Sequence, residues 1–241
     1  MNKNKVSRFI DKYYLSGNVA SVVLNSKGDT LSTRFITGDK SLLGELSMNS
    51  WNFEDVELGV YNTEQLVKLL DVLSDDVEMK LTKAGDKAIS LEVTDGTASV
   101  NYMLSDLSVI NQPPKLKKIP EFHVKVKVDA KFIQKFISGK SALSETDTFT
   151  VITDEASSKT KLVIGYSAVN TNRVTIPVTS SEFSNIDNIS FNANLFKEVL
   201  IANKDCESAV LQVSSEGLAK ISFKIDDFTS TYYLVAVSEV D

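Results

Sequence analysis

Few residues in this chain have the types and spacing that chemistry needs. Gly139-Lys140-Ser141 has the ending of a phosphate-binding loop, in which backbone N–H groups and a lysine cradle phosphates. The earlier glycine of that motif is missing, because Gln134 stands in its place. The tripeptide also follows a helical pattern where the motif needs a strand. A helix-terminating glycine is the better reading. Asp75-Asp76 and Asp226-Asp227 offer paired carboxylates of the kind that hold a metal ion, but each pair falls between elements, where turn chemistry accounts for it. His123 is the single histidine and Cys206 the single cysteine. A zinc site needs several such ligands, and a nucleophilic pair needs an activating base. His123 falls beside Lys125 on the polar face of an alternating segment, and Trp51 reads as partly buried core. The expectation is no catalytic residue, no metal and no cofactor.

With chemistry set aside, the order of elements carries the signal. Phe9-Ile10-Asp11-Lys12-Tyr13 returns as Phe132-Ile133-Gln134-Lys135-Phe136, and each copy runs on to Ser-Gly, at Ser16-Gly17 and Ser138-Gly139. Lys87–Val93 matches Ala219–Ile225 in the same way. The 241 residues thus read as two copies of one design. Val6, Phe9, Ile10 and Tyr13 lie on one stripe of a short helix, with Gly17 as its C-terminal cap or in the loop beyond it. Leu66, Leu69, Leu70 and Leu73 form a second stripe after a cap at Asn62 or Thr63. Asp129 caps a third helix over 130–137, and Asn192 a fourth with Leu195, Phe196, Val199 and Leu200 inside. Alternating segments with Asp-Gly and Gly-Asp turns fill the rest. Residues 105–121 lose the pattern, and Pro113, Pro114 and Pro120 make them a connector. The domains expected are 1–110 and 111–241. Hairpin-length links cannot join parallel strands, so the class is α+β with antiparallel sheets.

Charge is unevenly distributed. The chain has 26 Lys+Arg against 32 Asp+Glu, a net of −6. The four helical segments, 3–14, 62–73, 129–140 and 193–204, nonetheless sum to +5, which leaves −11 on everything else. Under the repeat Arg8 and Lys12 fall on Lys131 and Lys135. Recurrent cations opposite the apolar stripes point to a shared anionic target. One cysteine excludes an intrachain disulfide. No apolar run approaches the ~20 residues that span a bilayer, and Ser16-Gly17-Asn18 interrupts any leader-like start. The expectation is a cytoplasmic protein without a membrane partner.

The layout resembles the DNA sliding clamp family. Phe53–Asn62, Leu66–Leu70, Ser74–Glu78 and Tyr232–Val237 are similar to the corresponding stretches of the clamps of T-even-type bacteriophages. The resemblance implies the DNA clamp fold: two tandem similar domains, each with two short helices on antiparallel sheets, assembling into a ring. It implies a processivity factor that encircles duplex DNA, tethers the replicative DNA polymerase, is loaded by an ATP-driven clamp loader and also supports late transcription. The DNA-facing candidates are Lys5, Arg8, Lys12, Lys68, Lys131, Lys135, Lys140, Lys197 and Lys204. A partner-peptide pocket is expected at Leu107, Val109, Ile110, Leu116, Tyr233 and Val235.

Helix widths of ~10 Å set the ring size. Eight helices of a dimer leave an opening of about 10–15 Å, and twelve of a trimer roughly 20–28 Å, enough for a duplex about 20 Å across. A homotrimer is expected. Its subunits would join by edge strands, Ala98, Val100, Tyr102 and Leu104 of one against Arg173, Thr175 and Val178 of the next. The competing reading is a β-rich phage virion structural or assembly protein, which has no need of cationic helices at matched positions. A second is a metal-dependent hydrolase or nuclease, which would gather carboxylates in one cleft.

Overall fold

The computed structural model describes residues 1–116, 118–154 and 159–237. They fall into two compact units. The first comprises Met1–Gly38, Gly44–Pro114 and Asp227–Thr229; the second comprises Asp39–Leu43, the described part of Lys115–Asp226, and the chain from Ser230 onward.

In chain order the first half runs α1 (Lys3–Tyr14), β1 (Val22–Lys27), β2 (Thr30–Ile36), β3 (Leu42–Met48), β4 (Val56–Val60), α2 (Thr63–Leu70), β5 (Glu78–Ala84), β6 (Lys87–Thr94) and β7 (Ser99–Met103). The second runs β8 (Val124–Asp129), α3 (Ala130–Ala142), β9 (Thr148–Asp154), β10 (Lys159–Ile164), β11 (Val174–Val178), β12 (Ser180–Glu182), β13 (Ile189–Asn192), α4 (Ala193–Ala202), β14 (Ser208–Val213), β15 (Leu218–Ile225) and β16 (Phe228–Val235). Strand order makes the duplication explicit. The order β3-β2-β1-β4 of the first half recurs as β11-β10-β9-β13 in the second, and β5-β6-β7 recurs as β14-β15-β16. Every pairing with a described register is antiparallel.

The helices form where caps and stripes place them. Asn2 accepts the Lys5 N–H at the start of α1, and Val6, Phe9, Ile10 and Tyr13 are buried. Gly17 does not end this helix. Leu15 takes the left-handed conformation instead (φ 47°), and the Asn18 side-chain amide donates to its carbonyl. Asp129 caps α3 by accepting the Phe132 N–H at 2.9 Å. This helix passes the expected stop at Gly139 and reaches Ala142. A Cβ on Gly139 would come within 2.9 Å of Val174 Cγ1, so this glycine serves close packing of helix on strand. Lys140 ends the helix, its Nζ donating to the carbonyls of Leu143 (3.3 Å) and Ser144 (2.9 Å).

Each unit has its own core. Phe136, Phe149, Phe191 and Phe196 cluster in unit 2, with Phe136 edge-on to Phe196 at 4.9 Å and Phe149 stacked on Phe196 at 4.8 Å. Such pairs add about 0.5–1.5 kcal/mol each beyond the area they bury. In unit 1, Phe9, Tyr13 and Phe35 form the corresponding group. Trp51 is core, as expected, and its indole N–H donates to Ser26 Oγ at 2.9 Å.

Gly59 on β4 ties this core to the chain beyond β7. Its carbonyl accepts the Ser105 N–H at 2.9 Å, and a Cβ there would lie 2.2 Å from the Ser105 carbonyl oxygen. Gly59→Ala should therefore destabilise the fold by about 1–3 kcal/mol, because a backbone atom must move. Urea unfolding checks this; an unchanged midpoint would refute it.

Candidate functional site

The nine expected cations do not share one fate. Lys12 is buried, with Nζ 5.5 Å from the centroid of the Phe228 ring, and half-buried Arg8 lies 5.0 Å from the same ring. Lys5 pairs with Asp227 Oδ2 at 2.5 Å and donates to the Asn49 carbonyl at 3.0 Å. Lys140 is buried at the end of α3, where two carbonyls hold it. Lys12 and Lys140 therefore cannot face DNA, and Lys5 and Arg8 are committed to the segment beside them. The helical spacing was read correctly. What it could not show is that Asp227–Thr229 lies against the basic flank of α1. Lys197 is half-buried and pairs with Glu198 at 3.3 Å.

The exposed members are Lys68, Lys131, Lys135 and Lys204. Lys68 pairs with Glu64 one helical turn away at 2.5 Å; this contact holds the Glu64 carboxyl below its ordinary range and raises the Lys68 ammonium. Among the described residues Lys131 and Lys135 form no ion pair. They line a cavity of about 620 Å³ between α3 and β11, together with Gln134, Ser138, Val174 and Ile176.

The expected peptide pocket also divides. Leu107 and Val109 in unit 1 and Leu116 and Val235 in unit 2 are exposed. Ile110 and Tyr233 are buried. Ile110 packs on Gly59, and Lys220 Nζ sits 5.9 Å from the centre of the Tyr233 ring. Neither can take an incoming side chain as it stands.

The strands expected to join subunits are both open sheet edges. β7 bonds only β6, and β11 bonds only β10. Neither strand carries a charged residue. The other two edges of these sheets are guarded. β5 carries Glu78, Lys80, Lys83 and a register shift at Thr82/Lys83, and β13 receives the Val237 N–H on its Ser190 carbonyl at 2.8 Å.

Backbone parity decides which residues of each edge are free to pair. In an antiparallel ladder the N–H and C=O of one residue point the same way, and the direction alternates along the strand. The Leu104 N–H donates to Ile89 and the Ala98 carbonyl accepts from Asp95, so the even-numbered residues of β7 turn toward β6. Ser99, Asn101 and Met103 are left facing outward. On β11 the Thr179 carbonyl accepts from Lys127 of β8, away from β10, and Pro177 has no N–H to offer β10. Arg173, Thr175 and Pro177 therefore face outward.

This corrects the interface list. The backbones of Ala98 and Leu104 are taken by the β6 hairpin. Val100 and Tyr102 point into the core, and Tyr102 Oη bonds the Asn62 backbone at 3.1 Å. Val178 is paired with Thr160. Arg173 and Thr175 stay on the open edge. Sequence reasoning missed Ser99, Asn101, Met103 and Pro177; Pro177 was the readable signal, since proline within a strand marks an edge.

The end of β7 is held by carboxylates. Asp95 accepts from the N–H groups of Ser74 (2.8 Å), Thr97 (2.8 Å) and Ala98 (2.7 Å), and these bonds hold its carboxyl well below the usual range. Asp106 is held low in the same way, by Lys87 first and then by Ser108. Among the described residues no group of three or more His, Cys, Asp or Glu could hold a metal ion. None of the described helices is long and apolar enough to cross a membrane.

No family model matches the chain. The curated sliding clamp of Escherichia phage RB69 is 23% identical over 182 residues, 74% of each chain. Among solved structures, the proliferating cellular nuclear antigen of Entamoeba histolytica superposes with a TM-score of 0.75, at 14% identity, over 99% of this chain and 97% of that one. The PCNA2–PCNA3 complex of Sulfolobus tokodaii gives 0.74 at 14% identity, over 98% and 97%.

Two outcomes follow from these contacts. Lys140→Met removes two hydrogen bonds from a buried cation and should cost about 1–3 kcal/mol in urea unfolding. A carboxylate held low stabilises the fold above its ordinary titration range and loses that contribution progressively as pH falls from that range through its own lowered value. The β6–β7 hairpin should therefore loosen below about pH 4. Faster exchange of the Ser74 and Ala98 amides, absent in Asp95→Asn, reads this out; pH-independent protection would refute it.

Proposed function

We propose that this chain, which has the DNA clamp fold of two similar domains of antiparallel sheets with few helices and resembles the sliding clamps in sequence, is a sliding clamp: a homotrimeric ring that encircles duplex DNA and tethers a replicative polymerase. The observation that carries this reading is the pair of open edges, one in each half of the chain: β7 turns Ser99, Asn101 and Met103 outward, and β11 turns Thr175 and Pro177 outward with Arg173 just before it. A chain with two different open edges joins copies head to tail, and such contacts close into a ring when the rotation allows.

Pairing Ser99, Asn101 and Met103 with Pro177, Thr175 and Arg173 gives at most about five hydrogen bonds, since Pro177 lacks a donor. Directly opposed residues share a face of the sheet. Val100 and Tyr102 then continue the row of Val174 and Ile176, so α2 of one copy and α3 of the next cover the same face. Helices thereby line one side of the assembly. Four helices per chain supply twelve in a trimer, enough for a bore of roughly 20–28 Å.

The bore is only weakly cationic, because few helix lysines are exposed and unpaired. The rest of the chain is acidic. This combination suits a ring that holds DNA by topology rather than by gripping phosphates. Exposed Leu107 and Val109 are the proposed seat for an apolar tail of the polymerase. A closed ring cannot thread onto circular DNA unaided, which implies an ATP-driven loader.

Sedimentation should give a trimer for the wild type and a monomer for Thr175→Pro, which removes an outward donor without touching a β10 bond. The same protein should bind short linear duplex negligibly yet stay on closed circular DNA through a salt wash after loading. A salt-sensitive, tight complex with short duplexes would contradict the sliding mode, and a trimeric proline variant would contradict the edge pairing.

A further inference from the structure

The duplication places the same basic helix flank in two settings. In unit 1, Arg8 and Lys12 of α1 lie over Phe228, and Lys5 pairs with Asp227. The Asn49 N–H donates to the Asp227 carbonyl at 3.0 Å, so this segment is anchored by backbone as well. In unit 2 the equivalent residues are Lys131 and Lys135 of α3. They are exposed, and the cavity of about 620 Å³ beside them opens along β11. A second cavity of about 240 Å³ continues it past Lys127, Lys131 and Thr179. A flank that is covered in one copy of the design is uncovered in the other.

The repeat also names a segment to cover it. Extending the match of Lys87–Val93 with Ala219–Ile225 puts Asp95-Gly96-Thr97 in register with Asp227-Phe228-Thr229. Both are Asp-x-Thr; Asp95–Thr97 lies wholly in the turn between β6 and β7, whereas Asp227 closes a two-residue turn and Phe228 and Thr229 begin β16. The odd-numbered residues of β7 face its open edge, whereas β16 is an interior strand of its sheet. With Asn101 opposite Thr175 and Ser99 opposite Pro177, the β6–β7 turn comes to the end of β11, beside the smaller cavity that Thr179 and Lys127 line.

We propose that the β6–β7 turn of one copy, Asp95–Thr97, seats on the α3 flank of the next, with its carboxylate facing Lys131, Lys135 and Lys127. The inference rests on the ring reading and adds to it the electrostatic contact that sets which edge meets which. The charges are complementary. Asp95 is half-buried, and its carboxylate is fixed in direction by the Ser74, Thr97 and Ala98 N–H groups, bonds that keep it ionised. Gly96 has no side chain, so no ring intervenes between this carboxylate and the lysines. Lys131 and Lys135 thereby leave the DNA-facing set and join the contact between copies. Nothing on β5 or β13 offers a comparable anionic turn beside an uncharged edge, which gives the contact its direction.

The test uses the full chain. Lys131→Glu with Lys135→Glu should weaken assembly about tenfold or more in sedimentation, without lowering the unfolding midpoint of the monomer. The double variant Thr97→Cys, Lys131→Cys should form disulfides between copies when air-oxidised with a copper catalyst. Denaturing gels should then show linked dimers and trimers, which either single variant lacks at that position. A wild-type trimer that neither cross-links nor responds to the reversal overturns this seating and leaves the ring reading standing. A wild-type chain that remains monomeric at every concentration overturns the ring itself, and the seating with it.

Discussion

The backbone of two short strands constrains everything else in this molecule. β7 and β11 each end a sheet with unsatisfied N–H and C=O groups, and neither carries the charge that guards an edge against association. An open edge has a direction, a register and a parity. Parity fixes the faces: once Ser99, Asn101 and Met103 are the residues free to pair, the side chains of Val100 and Tyr102 must stay on the helix-covered face. In the proposed pairing, α2 and α3 then fall on one side of the joined sheet by alternation, and no separate device is needed.

Duplication gave two copies of one plan, and the differences between equivalent residues are where function was divided. Arg8 and Lys12 stand over an aromatic ring, and burial takes Lys12 out of reach of any polyanion. Lys131 and Lys135, on the same helical flank, remain in solvent. Gly17 takes a positive φ beyond its helix, whereas Gly139, its counterpart, lies inside a helix because Val174 presses against it. Sequence identity across a repeat reports common ancestry of the fold. The contact environment decides what each copy does.

The order of elements, the apolar stripes and the hairpin turns were legible in the sequence, because each depends on residues close together in the chain. The extent of α3 was not, since its end is set by Lys140 reaching carbonyls three and four residues on and by a strand more than thirty residues away. The candidate cations show the same limit more sharply. Helical periodicity places Lys12 and Lys140 at the margin of a stripe, and periodicity cannot tell a solvated flank from one lying under another segment. Both expected strands are sheet edges, yet the residues expected to pair from β7 have the wrong parity, as does Val178 of β11, while Arg173 and Thr175 have the right one. Only a hydrogen bond such as Leu104 to Ile89 settles parity.

Net charge acquires a physical meaning once burial is taken into account. The helical segments sum to +5, but several of those cations are buried, paired with a neighbouring carboxylate or stacked on an aromatic ring. The field that a polyanion would meet is therefore smaller than the formal count. Each lysine that neutralises a phosphate adds to the salt-dependent grip and to the friction of moving along the duplex. A protein that must hold DNA without stopping on it gains from spending its cations on its own packing and on contacts between copies, and from leaving retention to a closed backbone.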